Sequence, residues 1–392
     1  MEKDIADRIL KWLSKGEVAP PHRVELDPTN KCNLMCLACV ARGKPVYDAS
    51  KELTKYKWLK IIREAIQLGA KSFNISGGGE PLCRPKTTLT IMKEIKKYNL
   101  IGSLVTNGTL FTKEIVKKLV RIRWDEIRFS IDGPDAKTHD YLRDVPGTFD
   151  RAIESIKFFT FLKKKLNRSK PRIHITPVIT SQNFNRICEM IELVHDLGAD
   201  ALYLQPFMSG SVLDIQSNKE KRRQISKRLR LNNRQQKEFR EHLKKARRLA
   251  EKYRITTNFD FLEEKIMKET TDVIIRSDSK EQPQNSILSI PCFFPWFLLQ
   301  IHADGIVEPC GGNPVRESIK QKSLREIWYG ELFNKLRREL IRKQIPSCCK
   351  ACCPILVYDI RSVRKALFEI TGENIEKLTF NSKMLKSEKT WN

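Results

Sequence analysis

Short apolar segments rich in β-branched residues alternate with amphipathic segments along residues 23–207. The amphipathic segments predict helices near 52–68, 86–98, 112–122, 148–165 and 184–197. Short strands that alternate with helices indicate parallel pairing through right-handed crossovers. The pattern therefore predicts an α/β fold, a partial (βα)6 TIM-like barrel. The six predicted strands are HRVELDPT, KSFNISGG, GSLVTN, EIRFSIDG, RIHITPVIT and ALYLQPF.

The first 22 residues carry Ile5, Ile9, Trp12 and Leu13 on one helical face. This amphipathic helix is predicted to pack across the bottom of the barrel, with an interfacial position on a membrane as the alternative. The predicted units are the N-terminal helix at 1–22, the barrel at 23–207, a basic helix and connection at 208–290, a small auxiliary domain at 291–356 and a C-terminal extension at 357–392.

The charge of the chain is strongly positive, because 73 Lys and Arg residues face 47 Asp and Glu residues, a net charge of +26. Such a field attracts anionic partners: nucleic acid, a membrane surface or an anionic substrate. A lysine-rich surface of a heat-adapted protein is the alternative. The basic residues are concentrated in 219–254. No apolar run is long enough to span a membrane and no signal peptide is evident, so a cytoplasmic location is expected.

Eleven cysteines occur in clusters, as expected for metal ligands in a reducing compartment. Cys32, Cys36 and Cys39 have C-x3-C-x2-C spacing. Thiolates are soft ligands for iron–sulfur clusters or zinc, and three ligands on a four-iron cluster leave one iron open. The spacing favours such a cluster. A zinc site and unligated thiols are the alternatives.

Three further motifs accompany these cysteines: SGGGEPL at 76–82, TNG at 106–108 and SIDG at 130–133. Together they resemble the radical S-adenosylmethionine (SAM) enzymes, well over residues 23–207 and, through later cysteines, to about 354. The resemblance implies a partial barrel whose three-cysteine [4Fe–4S] cluster binds and reductively cleaves SAM. The resulting 5′-deoxyadenosyl radical takes a hydrogen atom from substrate. Ala38 departs from the pattern, because that position is commonly aromatic and contacts the adenine.

The resemblance also implies which residues contact SAM. The backbone at 78–80 would bind the amino group, the serine the ribose and the arginine the carboxylate, while the asparagine would line the cavity. These residues are Gly78, Gly79, Glu80, Ser130, Arg143 and Asn107. Ordinary turns, a strand-end serine and a solvated helix arginine are the alternatives. Cys83 could face the site but is more simply a packed thiol, as Cys188 is.

A second cysteine set begins at Cys292, with Cys310 after a predicted hairpin that turns at Ala-Asp-Gly. The segment SLREIWYGELFNKLRREL predicts an amphipathic helix before Cys349 and Cys352. The set resembles the short twitch form of the SPASM auxiliary domain. It implies a second [4Fe–4S] cluster on Cys292, Cys310, Cys349 and Cys352. A four-cysteine zinc site is the alternative, and Cys348 or Cys353 could replace a neighbouring ligand.

The predicted function is a radical SAM enzyme that abstracts hydrogen from an organic substrate, with an oxidative outcome assisted by the auxiliary cluster. The substrate would be a small molecule or a peptide, with an anionic substrate as one option, and a ferredoxin or flavodoxin would supply electrons. One alternative is a ribosomal-peptide maturase of the same superfamily. Another is an iron–sulfur electron-transfer or scaffold protein that binds nucleic acid. No Ser-His-Asp pattern supports hydrolysis.

Overall fold

The computed structural model describes residues 2–39, 49–207, 224–225, 227–260, 262, 294–310, 316–341 and 365–372. The strands are β1 Arg23–Leu26, β2 Ser72–Ile75, β3 Ile101–Thr106, β4 Glu126–Phe129, β5 Arg172–Ile175, β6 Val178–Ile179, β7 Ala201–Leu202, β8 Gln205–Pro206, β9 Thr256–Thr257, β10 Leu298–Ile301, β11 Ile306–Glu308 and β12 Glu317–Ser318. The α-helices are α1 Glu2–Lys15, α2 Lys55–Leu68, α3 Pro85–Lys97, α4 Lys113–Arg121, α5 Ala136–Arg143, α6 Thr148–Lys165, α7 Ile187–Asp196, α8 Asn233–Tyr253, α9 Leu324–Trp328 and α10 Glu331–Ile341.

Within these ranges the main sheet has ten strands in the order β12-β11-β10-β1-β2-β3-β4-β5-β7-β9. From β10 to β9 every neighbouring pair is parallel. Strands β6 and β8 form a separate parallel pair. Because the central strands follow chain order with helices between them, the predicted α/β partial barrel is confirmed.

Helix α2 shows how local sequence defines these elements. The Thr54 hydroxyl caps the start by accepting from the Lys57 amide, and Gly69 ends the helix at φ +107°. Trp58, Ile62 and Ala65 lie on one face and are fully buried. They join a core built from one face of the parallel strands and the helices that cover it. The carboxyl ends of the strands therefore form one rim, where the motif residues meet.

Two predicted strands are interrupted. RIHITPVIT divides into β5 and β6 because Pro177 lies between them and has no amide hydrogen for the ladder. ALYLQPF divides into β7 and β8, where the Asn258 side chain donates to the Leu204 carbonyl and accepts from its amide. That side chain takes the hydrogen bonds that a neighbouring strand would make.

The predicted C-terminal hairpin is present, and it extends the barrel sheet. Strands β10 and β11 are antiparallel, and Gly305 in the turn has φ +88°. Strand β10 also pairs in parallel with β1, from Arg23↔Leu298 to Leu26↔Ile301. The helix predicted after the hairpin is two helices, because α9 ends at Trp328 and α10 begins at Glu331.

Helix α1 packs on the C-terminal part of the chain. Ile5 and Ile9 are buried in a cluster with residues of 294–298, 336–340 and 366–367. The Trp12 and Trp296 rings pack edge to face, with their centroids 5.2 Å apart. The apolar face is thus covered by protein. Among the described helices, none is both long and apolar enough to cross a membrane.

The predicted basic helix corresponds to α8, which is amphipathic. Phe239, Leu243, Ala246 and Ala250 are buried against the core. Its other face is rich in exposed Lys and Arg. Most of the stretch 219–254 is therefore a packed helix with a charged outer surface, while 219–223 and 226 lie outside the described residues.

His302 is expected to make stability depend on pH. Its ring contacts Asp27 Oδ2 at 2.7 Å and Glu308 Oε2 at 3.5 Å. Burial alone would lower the pKa of His302, but these carboxylates raise it to about 10. Because the folded-state pKa exceeds the unfolded value, the stabilisation is complete below about pH 6.5 and is lost as pH rises through about 10.

Denaturant titrations of the wild type and His302→Gln under argon measure this effect. The wild type should have the larger free energy of unfolding near pH 6, and the difference should shrink by about pH 10. A difference that stays constant over this range would contradict the assignment of a charged imidazole.

Candidate active site at the carboxyl ends of the strands

The three-cysteine loop follows β1 at the rim. Cys32 and Cys39 are exposed, Cys36 is half-buried, and all three are free thiols. The buried Leu34 side chain anchors the loop, and the Leu37 amide donates to the Leu142 carbonyl at 2.9 Å. The loop is therefore attached to α5, which follows β4.

Gly78 and Gly79 let the cysteine loop approach the end of β2. The Gly79 amide donates to the Thr29 carbonyl at 2.9 Å, and the Glu80 amide donates to the Lys31 carbonyl at 2.8 Å. A Cβ atom on Gly79 would lie 2.0 Å from the Lys31 carbonyl oxygen. Only glycine fits this contact. Both amides are therefore used to hold the cysteine loop.

The Glu80 carboxylate joins the ends of β2 and β3. It accepts from Thr106 Oγ1 at 2.8 Å, from the Asn107 amide at 2.8 Å and from the Leu82 amide at 3.1 Å. Burial raises the pKa of Glu80, and these hydrogen bonds oppose the rise. The side chain is therefore a positioning group in this structure.

Asn107 forms a turn and also reaches the cysteine loop. Its side-chain oxygen accepts from the Thr109 amide at 3.0 Å, so the predicted Thr-Asn-Gly turn is present. Its side-chain nitrogen donates to Asn33 Oδ1 at 2.9 Å, one residue after Cys32. Asn33 in turn donates to Thr109 Oγ1 at 2.9 Å. The turn thus supports the cysteine loop.

Arg143 is buried, with 8% of its surface exposed, so its reading as a solvated helix arginine is wrong. Its guanidinium pairs with the buried Asp132 at 2.9 Å and donates to the Ser130 carbonyl. A third contact runs to Cys36 Sγ at 3.6 Å. Burial alone would lower the pKa of Arg143, but Asp132 and Cys36 outweigh it and raise this pKa. A fixed positive charge therefore faces the cysteine loop.

Arg143 also influences the Cys36 thiol. Burial raises the pKa of Cys36, and the guanidinium opposes that rise. Positive charge beside a thiol favours the thiolate, the form in which cysteine binds metal. Ser130 is half-buried at the end of β4, and its carbonyl orients the guanidinium. The predicted contact between Ser130 and the SAM ribose stays a prediction.

The remaining predicted cysteines are placed as follows. Cys83 is half-buried near the loop, where Glu80 and Lys31 influence its thiol, and burial raises its pKa. Cys188 lies in α7 and packs against the core. Cys310 is half-buried and lies two residues after β11. Cys292 lies outside the described residues, as do Cys348, Cys349, Cys352 and Cys353.

Three positioning groups were not predicted. Asp132 lies within the SIDG motif, but its pairing with Arg143 spans a loop and a helix. Glu52 accepts from Thr29 Oγ1 at 2.9 Å and from the Asn30 amide at 2.7 Å. Arg84 donates to the same Glu52 carboxylate at 2.9 Å. Glu52 and Arg84 lie in no motif, and the partner of Asp132 is not visible in the sequence, so only the fold reveals these contacts.

The donor chemistry of the loop fits an iron–sulfur cluster. Three free thiols within eight residues lie at the rim, and a guanidinium contacts one of them. No three His, Cys, Asp or Glu side chains are gathered into a metal-binding arrangement in the described part of the chain. Cys32, Cys36 and Cys39 would hold the cluster, which supplies an open iron for SAM and the electron that cleaves it.

Comparison with known families identifies the class of protein. Residues 26–194 match the radical SAM superfamily, and residues 292–353 match the SPASM iron–sulfur cluster-binding domain. Together the two matches span more than half of the chain. The chain belongs to the radical SAM superfamily and has a C-terminal SPASM domain. Its cofactors are SAM and two [4Fe–4S] clusters.

Individual relatives support the same assignment. The chain is 29% identical to an AdoMet-dependent heme synthase of Methanosarcina barkeri over 369 residues, 91% of this chain and 95% of that protein. It is 29% identical to a tungsten-containing aldehyde ferredoxin oxidoreductase cofactor-modifying protein of Pyrococcus furiosus over 48% of this chain and 53% of that one.

Solved structures share the fold. Streptococcus suis SuiB bound to S-adenosylmethionine superposes with a TM-score of 0.57 at 19% identity, over 84% of this chain and 71% of that one. The anSMEcpe structure with bound AdoMet superposes with a TM-score of 0.57 at 18% identity, over 92% of this chain and 100% of that one. The chain therefore has the partial-barrel fold of these structures.

Proposed function

We propose that this radical SAM enzyme oxidises an anionic organic substrate, and that the substrate is a tetrapyrrole bearing carboxylate groups. The heme synthase similarity carries the proposal, because it extends along nearly the whole of both chains. The net charge of +26 supports it, since a positive protein field concentrates anionic ligands.

The chain's own residues would orient SAM. Carbonyl oxygens near Gly78 and Gly79 would accept from its amino group, and Arg143 would pair with its carboxylate. Ser130 would contact the ribose and Asn107 would line the cavity. The dense hydrogen bonding of Glu80 and Asp132 supports these roles, because it fixes the surrounding backbone before SAM binds. A ferredoxin or flavodoxin would supply the electron.

A peptide substrate is the second candidate. PqqA peptide cyclase of Methylocella silvestris is 28% identical over 44% of this chain and 43% of that protein. SuiB has also been solved with the precursor peptide SuiA. These similarities cover part of the chain or show only the fold. They support the peptide reading less than the end-to-end match supports a tetrapyrrole.

Anaerobic turnover with SAM and dithionite tests the proposal. We expect an iron porphyrin tetracarboxylate to be modified and to increase 5′-deoxyadenosine formation, while its tetramethyl ester has little effect. Modification of neither porphyrin, with 5′-deoxyadenosine still formed, would reject the tetrapyrrole and retain the enzyme class.

Cys310→Ala tests the oxidative role of the SPASM domain. Uncoupled 5′-deoxyadenosine formation should fall less than substrate turnover, because the SAM-cleaving cysteines lie on a separate loop. Cys188→Ala is the control, since that thiol packs in a barrel helix. Equal loss of both activities in Cys310→Ala, or zinc in the auxiliary site of anaerobically prepared protein, would contradict an electron-transfer role.

A further inference from the structure

The parallel strands present an apolar face to the helices and a polar face to the barrel interior. Val24, Phe73, Ile127 and Ile173 belong to the core on the helix side. Side chains alternate along a strand, so their neighbours point inward. These inward-facing residues are Arg23, Glu25, Ser72, Asn74, Ser103, Glu126, Arg128 and His174.

Strand register brings the polar side chains together. Asn74 is paired with Glu25 on one side and with Ser103 on the other, and Ser103 is paired with Glu126. Nearer the rim, Arg128 is paired with His174. We call Asn74, Ser103, Arg128 and His174 the inner-face site.

The acidic residues of this face are already engaged. Glu25 pairs with Arg23 at 3.1 Å and accepts from Asn74 at 2.5 Å. Glu126 pairs with Arg128 and with His174 Nδ1, the latter at 3.5 Å. Burial alone would raise the pKa of Glu126, but His174 and Arg128 lower it to about 2. Both of its partners therefore hold this carboxylate ionised.

Arg128 retains binding capacity. Only its Nε atom contacts Glu126, and a guanidinium has five N–H donors. Its side chain is 39% exposed although it lies on the inner face, so the barrel interior is accessible from solvent. Planar guanidinium groups bind carboxylates through two parallel hydrogen bonds.

Four buried polar atoms of the inner face have no hydrogen-bond partner in the described part of the chain. They are Ser72 Oγ, Asn74 Oδ1, Ser103 Oγ and His174 Nε2. His174 is only 1% exposed. Leaving such groups unpaired costs free energy, so they favour a polar group brought into the interior.

The inner-face site lies beside the SAM residues. Arg128 precedes Ser130 by two positions, and the Ser130 carbonyl accepts from Arg143. Asn74 lies on β2, which leads directly into Gly78 and Gly79. A ligand held by Arg128 could therefore extend from the barrel interior to the rim where SAM is cleaved.

We propose that the inner-face site binds a carboxylate of the substrate and that Arg128 is a specificity-determining residue for it. Arg128 donates to the carboxylate, while Asn74, Ser103 and His174 complete its polar surroundings. The inference rests on the proposed oxidation of an anionic substrate, and it adds where the anionic group binds.

The test compares Arg128→Gln and Arg128→Lys with wild type in the full-length, cluster-loaded chain. Arg121→Gln is the matched control, because Arg121 is exposed on α4. In Arg128→Gln the Glu126 carboxylate loses its arginine partner. The double variant Arg128→Gln, Glu126→Gln removes that carboxylate as well. Iron content and SAM affinity are measured for each protein to check that the cysteine loop is formed.

Calorimetric titrations use trimesate, an iron porphyrin tetracarboxylate and the corresponding tetramethyl ester. We expect Arg128→Gln and the double variant to raise the Kd for carboxylate probes about tenfold or more, with partial recovery in Arg128→Lys. Arg121→Gln should bind like wild type, and the Kd of the ester should not change.

The possible failures are distinguishable. If wild type binds trimesate through Arg128 but not the porphyrin, the inner-face site stands and the tetrapyrrole substrate is rejected. If wild type binds the porphyrin and Arg128→Gln binds it equally well, the substrate stands and the inner-face site is rejected. Failure of wild type to bind either carboxylate probe overturns the inner-face site.

Discussion

Replacing Cys32, Cys36 and Cys39 together by Ala is expected to remove about half of the iron and all SAM cleavage. The intact chain should hold about eight irons, four in each cluster. The three cysteines occupy one loop at the rim, and the SPASM match begins far along the chain at residue 292. One cluster can therefore be lost while the other remains. Iron analysis and 5′-deoxyadenosine assays measure both effects.

Cys188→Ala is the matched control, because this thiol packs against the core away from the loop. It should keep the iron content and the SAM cleavage of wild type. Iron at the wild-type level in the triple variant would show that the assigned ligands are wrong. Loss of iron from both sites would show that the clusters assemble together.

Arg143→Gln is expected to have the second largest effect, a loss of both stability and SAM cleavage. The substitution leaves Asp132 as a buried carboxylate without its cation, which costs about 3–5 kcal/mol. It also removes the charge that contacts Cys36. Denaturant titration and 5′-deoxyadenosine formation measure the two losses. Arg121→Gln on the exposed face of α4 should change stability by no more than about 0.5 kcal/mol.

A double variant separates structure from SAM binding. Adding Asp132→Asn to Arg143→Gln removes the uncompensated buried charge, so most of the stability should return. SAM cleavage should stay low, because the guanidinium that would pair with the SAM carboxylate is still missing. Recovery of both properties would make Arg143 a structural residue only.

The fold was largely predictable because alternation between apolar strands and amphipathic helices is a local property. Hydrogen bonds between residues distant in sequence were not predictable. Pro177 is a visible sequence signal for the break between β5 and β6. The hydrogen bonds from the Asn258 side chain to the Leu204 backbone, at the break between β7 and β8, have no such signal. The pairing of β10 with β1 joins segments more than 270 residues apart, which periodicity cannot reveal.

The site was predictable where spacing carries chemistry. The cysteine spacing and the glycines of SGGG identify a metal loop and a close backbone approach within a few residues. The partners of the motif residues were not predictable. Glu80 bonds across to β3, Arg143 to Asp132, and Glu52 to the loop before Cys32. Each contact depends on how strand ends meet at the rim.

The most direct test of the central claim is anaerobic incubation of the cluster-loaded chain with SAM and dithionite, followed by quantification of 5′-deoxyadenosine and methionine. A radical SAM enzyme built on Cys32, Cys36 and Cys39 should form the two products in equal amounts, and the triple Ala variant should form neither. Absence of 5′-deoxyadenosine from wild-type protein that contains both clusters would contradict the account.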